Sequence, residues 1–201
     1  MSEAARELFG DEYDLAARYV DRLAHEGVEW GLIGPREVIR LWDRHVLNSV
    51  ALADLIPHGA TVADIGSGAG LPGIPLAILR PDLQVALVEP LLRRSTFLTQ
   101  AVDELGITDR VTVVRARAED HRGTYDVVVA RALAPLTRLV GWCAPLRAPA
   151  GVILALKGAS ASDEVQAAAK VLASHRLAAQ VLTARAHAAS EPTTVVRLTS
   201  R

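Results

Sequence analysis

One cysteine, Cys143, stands among 201 residues, so no disulfide can close within the chain and the crosslinked scaffold of a small secreted domain is excluded. A cytoplasmic protein is expected. Around that cysteine Leu139, Val140 and Trp142 are apolar, which reads as a core thiol rather than a nucleophile. No apolar run approaches the roughly 20 residues that cross a membrane, and Met1-Ser2-Glu3-Ala4-Ala5-Arg6-Glu7 is charged where a secretory leader would be apolar. The histidines fall at no metal-ligand spacing, and no metal is expected. Charge is balanced: 22 Lys and Arg against 23 Asp and Glu leave a formal net charge of −1, so any nucleic-acid-binding surface must be a local patch. Internal repeats and low-complexity segments are also absent.

What is there is globular. Half the residues are hydrophobic and 22% are charged, and the length suits one sizeable core with a small appendage rather than two full domains. The most informative stretch runs from Ala60 to Pro75. Ala60-Thr61-Val62-Ala63-Asp64-Ile65 is a short apolar run, read as a buried strand, followed by the glycines Gly66, Gly68 and Gly70 and then an apolar segment of helix length. Glycines at such a turn let a ligand approach the backbone, and the free N–H groups of the following helix point at the same spot. The cradle residues Asp64, Gly66, Ser67, Gly68 and Gly70 are therefore candidate nucleotide or nucleoside ligands. Two ligand classes compete. Gly68-Ala69-Gly70-Leu71-Pro72-Gly73 satisfies the dinucleotide pattern G-x-G-x-x-G. Starting from Asp64, the same stretch reads D-x-G-x-G-x-G and resembles the first motif of the S-adenosylmethionine methyltransferases, in which the carboxylate serves the amino-acid end of the cofactor. Glu89, at the end of the next strand, is placed to accept bonds from ribose hydroxyls in either class.

In chain order, Phe9, Tyr13, Ala16, Val20 and Leu23 predict an amphipathic helix from Glu3 to His25, ended by Gly27. Gly31-Leu32-Ile33-Gly34-Pro35 reads as a turn, with Pro35 opening a second helix to about Leu55 that carries Val38, Trp42, Val46 and Val50 on one face. Residues 1–56 form a helical cap packed on a domain of residues 57–201. On the second helix Arg36, Arg40 and Arg44 stand four apart beside His45, a stripe that suits phosphates or merely a solvated face with Glu37 and Asp43. From Ala60 strands and helices alternate: strands 61–65, 84–88, 111–115, 124–130 and 151–156, helices 73–79, 92–105, 135–143 and 162–174, then strands 177–183 and 193–199. That pattern predicts an α/β fold with a mainly parallel sheet, and the last two strands, with no helix between them, a C-terminal antiparallel hairpin. The hairpin favours the methyltransferase reading, because dinucleotide dehydrogenases repeat a second mononucleotide half.

Ligands in such a sheet sit at the strand ends. After the third strand comes Arg117-Ala118-Glu119-Asp120, either an adenine-facing loop or a simple polar one. After the fourth comes Arg131-Ala132-Leu133-Ala134-Pro135. Enzymes that methylate exocyclic amines resemble one another there in an Asp/Asn-Pro-Pro-aromatic motif, and C5-pyrimidine enzymes in a Pro-Cys nucleophile. Both are missing, which suits a nucleophile with its own lone pair, such as a purine ring nitrogen, that needs only positioning.

Several separated segments share one likeness. Arg44-His45-Val46-Leu47-Asn48-Ser49, Asp64 through Pro75, Arg93-Arg94 with Phe97-Leu98, Ala130-Arg131-Ala132 and Ala155-Leu156-Lys157-Gly158 together resemble the small-subunit ribosomal RNA guanine-N7 methyltransferases, formerly called glucose-inhibited division protein B. The resemblance spans roughly residues 30–175. It implies a Rossmann-like S-adenosylmethionine-dependent methyltransferase sheet with an N-terminal helical cap. It also implies contacts to the cofactor from Gly66, Leu71, Ala118, Glu119 and Arg131, and methyl transfer to N7 of a guanine in 16S rRNA, within the 30S subunit or a precursor. No dedicated catalytic side chain is implied. Arg36, Arg40, Arg44, His45 and Lys157 would face the RNA, and a monomer is expected. Two departures stand out: Gly31-Leu32-Ile33-Gly34 replaces an Asn-Leu-Thr segment, and Asn48 stands where aspartate is commoner. A methyltransferase for a small molecule and a non-catalytic nucleotide-binding module are the alternative readings.

Overall fold

The computed structural model describes residues 3–201. Its strands are β1 (Thr61–Ile65), β2 (Gln84–Val88), β3 (Val111–Val114), β4 (Tyr125–Arg131), β5 (Arg147–Lys157), β6 (Leu177–Ala184) and β7 (Thr193–Ser200). They form one sheet in the order β3-β2-β1-β4-β5-β7-β6. β1 to β5 are parallel, and β7 runs antiparallel to both β5 and β6, as the hairpin pattern predicted. The central strands read as nearly unbroken apolar runs because both of their faces are covered. The chain leaves β1 toward β2 and β3, then returns to β4 on the other side of β1. This reversal opens a crevice at the carboxyl ends of β1 and β4.

Alternation along the strands divides the core in two. Val62, Val85, Leu87, Val127, Val129, Leu154 and Leu156 face one cluster, whereas Ala63, Ile65, Val128, Ala130, Ile153 and Ala155 face the other. Continued to the strand ends, the same parity puts Asp64, Glu89 and Arg131 on the first face and Lys157 on the second. On the first face lie the N-terminal helices with α5 (Gly73–Leu79) and α6 (Leu92–Leu105). On the second lie α7 (Leu136–Cys143), α8 (Ala161–Ala167) and α9 (Ala169–Ser174), the last two taking the place of the single helix predicted over 162–174. Cys143 is fully buried there, and desolvation pushes its thiol up to about 12, so it is inert as a nucleophile.

The N-terminal region departs from its sequence pattern in detail. The predicted first helix is divided into α1 (Glu3–Phe9) and α2 (Tyr13–Ala24) by a 3-10 turn at Gly10–Glu12, where Gly10 has φ +50°. Gly27 does not end it. A short α3 (Glu26–Glu29) passes through Gly27, and the chain reverses at Gly31, where Leu32 and Ile33 both donate to the Gly27 carbonyl. The expected second helix is helical but mostly not α: a 3-10 segment covers Pro35–Arg40, a π segment Leu41–Leu47, and only α4 (Asn48–Val50) is α. Phe9, Tyr13, Ala16, Tyr19 and Leu23 share a cluster with Val62, Leu87 and Val129 of the sheet, so the N-terminal helices and the sheet have one core in common. Each such side chain fully removed from water contributes roughly 1.5–3 kcal/mol.

Candidate functional site at the carboxyl ends of strands 1 and 4

The turn after β1 folds over the sheet edge with positive φ at Gly66, Gly68 and Gly70. A Cβ at Gly66 would stand 2.4 Å from Leu133 Cδ1, and one at Gly73 would stand 2.8 Å from Asp64 Oδ2, so both positions need glycine for close approach. Asp64 is completely buried beneath the turn. Its Oδ2 accepts the Gly73 N–H at 3.0 Å, while Oδ1 has no partner. Burial pushes its carboxyl up to about 7, against the pull of the Gly73 N–H, Ser67 and Arg131. Ser67 Oγ donates to the Asp64 carbonyl at 2.8 Å. Glu89, 2% exposed, accepts the Gly68 N–H at 3.0 Å with one oxygen and the Leu91 N–H at 3.1 Å with the other. Two carboxylates thus hold the glycine turn from below. Tyr19, which the sequence reading passed over in favour of Val20, donates its hydroxyl to the Ala69 carbonyl at 2.8 Å. Its position three residues after Ala16 and four before Leu23 was the available signal.

Arg131, at the end of β4, joins the sheet to the π segment. Its guanidinium donates to the carbonyls of Arg44 at 3.2 Å and His45 at 3.0 Å, to Ser49 Oγ at 3.1 Å and to His45 Nδ1 at 2.7 Å. With Nδ1 accepting, the proton of a neutral His45 ring is on Nε2, which donates to Glu37 Oε2 at 3.0 Å. Burial first, then the Arg131 charge, lower the pKa of His45. The following residue, Ala132, has φ +50°, a conformation that a non-glycine residue holds at a cost of order 1–3 kcal/mol, and Leu133 beyond it rests on Gly66.

Three cavities meet around Gly66, Arg131 and Leu133. One of about 200 Å3 lies beside Gly66 and Val88 and is walled by Ala118, Glu119, Arg138 and Trp142. A second, of about 280 Å3, lies over the glycine turn between Ser67, Leu71, Leu32, His45, Arg94 and Arg131. The third and largest, about 410 Å3, opens at the ends of β4 and β5 between Asn48, Leu133, Lys157 and Glu164. The first two share Gly66, the second and third share Arg131 and Ala132, and the first and third share Leu133. An apolar slot on one side of a glycine turn and a cationic one on the other fit a nucleoside and the amino-acid end of S-adenosylmethionine. Asp64 Oδ1 is left without a partner under the turn, but it is fully buried and lines none of the three cavities, so Asp64 serves the site by fixing the turn through Gly73.

The cations expected to face RNA divide into two groups. Arg36, Arg40 and Arg44 are exposed, but Arg36 and Arg40 lie on a 3-10 segment, where a spacing of four turns them about 120° apart instead of stacking them. Arg44 also pairs with Glu37 at 3.5 Å. Lys157 and His45 are engaged internally: Lys157, 9% exposed, donates to the Ala134 carbonyl and to Glu164 Oε2, each at 2.7 Å, and both ring nitrogens of His45 have partners. Neither is a free surface cation, because Lys157 is paired with Glu164 and His45 is bonded to Glu37 and Arg131. Arg94, which the sequence reading placed in no role, is exposed on the rim of the second cavity.

Comparison with known proteins agrees with this geometry. A family model described as GidB, rRNA small subunit methyltransferase G, matches residues 12–193. The chain is 59% identical over 172 residues to the ribosomal RNA small subunit methyltransferase G of Kineococcus radiotolerans, covering 85% of this chain and 68% of that one. It is 54% identical over 200 residues to that of Nocardioides sp., covering 98% and 80%. Among solved structures, precorrin-6y C5,15-methyltransferase from Geobacter metallireducens superposes with a TM-score of 0.58 at 18% identity over 85% of this chain and 91% of that one. The ribosomal protein L11 methylase of Lactobacillus delbrueckii subsp. bulgaricus gives 0.59 at 18% over 77% of each, and at such identity both likenesses concern the fold alone. With the family model spanning the turn, the three cavities and the Arg131 junction, this chain belongs to the ribosomal RNA small subunit methyltransferase G family.

Proposed function

We infer that this protein methylates N7 of a guanine in 16S rRNA, on the 30S subunit or a precursor, with S-adenosylmethionine as donor. The observation that carries this reading is the meeting of three cavities at Gly66, Arg131 and Leu133, in a chain of this family. Bound in the cradle, S-adenosylmethionine supplies an electrophilic methyl group. Ala118 and Glu119 wall the nucleoside side, Glu89 at the end of β2 is the acceptor for the ribose, the glycine turn of Gly66, Ser67 and Gly68 makes room for it, and Leu71 closes the slot over the turn. Arg131 acts on the cofactor through the wall it fixes, since its two terminal nitrogens are already engaged by Arg44, His45 and Ser49.

N7 of guanine needs no base at the junction. Guanine N7 has an in-plane lone pair and no proton to lose, so the enzyme's task is alignment. His45, the titratable ring on the second cavity, has its Nδ1 lone pair taken by Arg131 and its Nε2–H taken by Glu37. It cannot accept a proton without breaking one of these bonds. Arg36 and Arg40 meet RNA phosphates beside the mouth, together with Arg94.

Methyl transfer to 30S subunits followed by borohydride–aniline treatment tests the reading. One scission in 16S rRNA is expected, diagnostic of 7-methylguanosine. A methylated product that resists scission, or methyl found only in small molecules, would refute it. With saturating cofactor, kcat should change by less than about threefold between pH 7.5 and 9, since no proton leaves the nucleophile.

A further inference from the structure

The largest of the three cavities, at the ends of β4 and β5, adjoins the cofactor cradle at Arg131 and Ala132 and has on its wall a carboxylate with one weakly engaged oxygen. Glu164 opens toward it from α8. Its Oε2 is fixed, accepting the Leu136 N–H at 2.8 Å and the Lys157 ammonium at 2.7 Å. Its Oε1 meets only the Ser160 hydroxyl, at 3.4 Å, near the limit of a hydrogen bond. The side chain is 24% exposed, so this second oxygen is reachable, while Lys157, 9% exposed and tied to the Ala134 carbonyl, keeps the carboxylate from rotating. Burial works to raise the pKa of Glu164, but the Lys157 and Leu136 bonds outweigh it and hold the group ionised. A fixed carboxylate with one free oxygen, in a cavity of about 410 Å3, is a built acceptor for a planar donor edge.

Guanine presents such an edge. Its N1–H and N2–H point the same way, which no other RNA base reproduces, and they lie across the ring from N7. We propose that Glu164 reads the N1–H and N2–H edge of the target guanine in this cavity, with Lys157 as the positioning residue that aims it. Held by that edge, the base turns N7 toward the junction at Arg131, Ala132 and Leu133, where this cavity meets the cradle. This assignment rests on the function proposed above and adds the group that selects guanine.

The test uses full-length protein and 30S subunits reconstituted with 16S rRNA carrying guanosine or inosine at the methylated position. Inosine keeps N7 and N1–H but lacks the N2 amino group. The wild-type protein should lose about 10- to 100-fold in kcat/KM on inosine, the effect of one hydrogen bond to a charged group. Glu164→Gln should lose a similar factor on guanosine and bring the two substrates to within about threefold of each other. A merely structural carboxylate would lower both rates and leave their ratio unchanged. Wild-type protein that treats the two nucleosides alike, or a Gln variant that keeps the wild-type ratio, overturns the proposal. Should the Gln variant fail to fold, the wild-type ratio alone still decides. Absence of methyl transfer to the guanosine subunits would instead refute the underlying function, and with it this assignment.

Discussion

Asp64 illustrates how one buried carboxyl links turn geometry to pH. Its folded pKa, about 7, lies above the ordinary aspartate value of the unfolded chain. Between pH 4 and 7 the folded protein therefore binds the extra proton, and stability falls as pH rises through that window. The full loss is at most of order 4 kcal/mol for a shift of this size. Asp64→Asn keeps a carbonyl for the Gly73 N–H and removes the charge, so its melting temperature between pH 5 and 8 should be flatter than that of the wild type. Parallel profiles for the two proteins would mean that the carboxyl is not titrating there. Glu89 accepts the Gly68 and Leu91 N–H groups, one with each oxygen. Replacing it by Ala should weaken S-adenosylhomocysteine binding by roughly 10- to 150-fold by calorimetry, combining a lost ribose acceptor with a loosened turn. Both carboxylates were legible in the sequence because each stands at the carboxyl end of an apolar run, Asp64 within β1 and Glu89 directly after β2. Tyr19 was not, since its hydroxyl bonds a carbonyl 50 residues away, and no local pattern announces that partner. The internal engagement of His45 and Lys157 was hidden for the same reason: a cation's partner is fixed by tertiary packing.

At the level of elements, six strands were legible to within a residue because apolar runs mark a buried sheet, whereas β5 begins at Arg147, four residues before the expected 151, in a polar and partly exposed stretch that carries no such run. The segment from Pro35 to Leu47 was not. Its apolar positions suit any helix that keeps one side inward, and the choice of 3-10 and π geometry comes from outside the segment. Arg131 is part of that choice: its guanidinium takes up the carbonyls of Arg44 and His45 in the π turn. π geometry within helices recurs at functional sites. Arg131→Lys replaces a planar fork by a single ammonium that cannot reach four acceptors, and should cost about 1–3 kcal/mol. Amide exchange should rise across residues 41–50 and stay unchanged in β6 and β7. Uniform acceleration across the whole chain would show a general loss of stability instead of a local release.

For the molecule as a whole, a net charge of −1 leaves RNA binding to whatever cations are gathered near the mouth. Gln replacements at Arg36 and Arg40 together should raise the KM for 30S subunits and lower the slope of log affinity against log salt by about 1 per arginine, with cofactor affinity unchanged. Adding Arg44→Gln should change the slope less, because Glu37 already neutralises part of that charge. An unaltered slope in the double variant would return these residues to solvent. The shared core of N-terminal helices and sheet, in which Tyr13, Tyr19 and Leu23 pack in one cluster with Val62 and Val129, bears on how new specificity can arise. The N-terminal helices are not a detachable module, so grafting them from a relative would carry part of the hydrophobic interior with them. Designed changes of specificity therefore belong in the rim loops and the cavity wall, where side chains can be exchanged without repacking the centre.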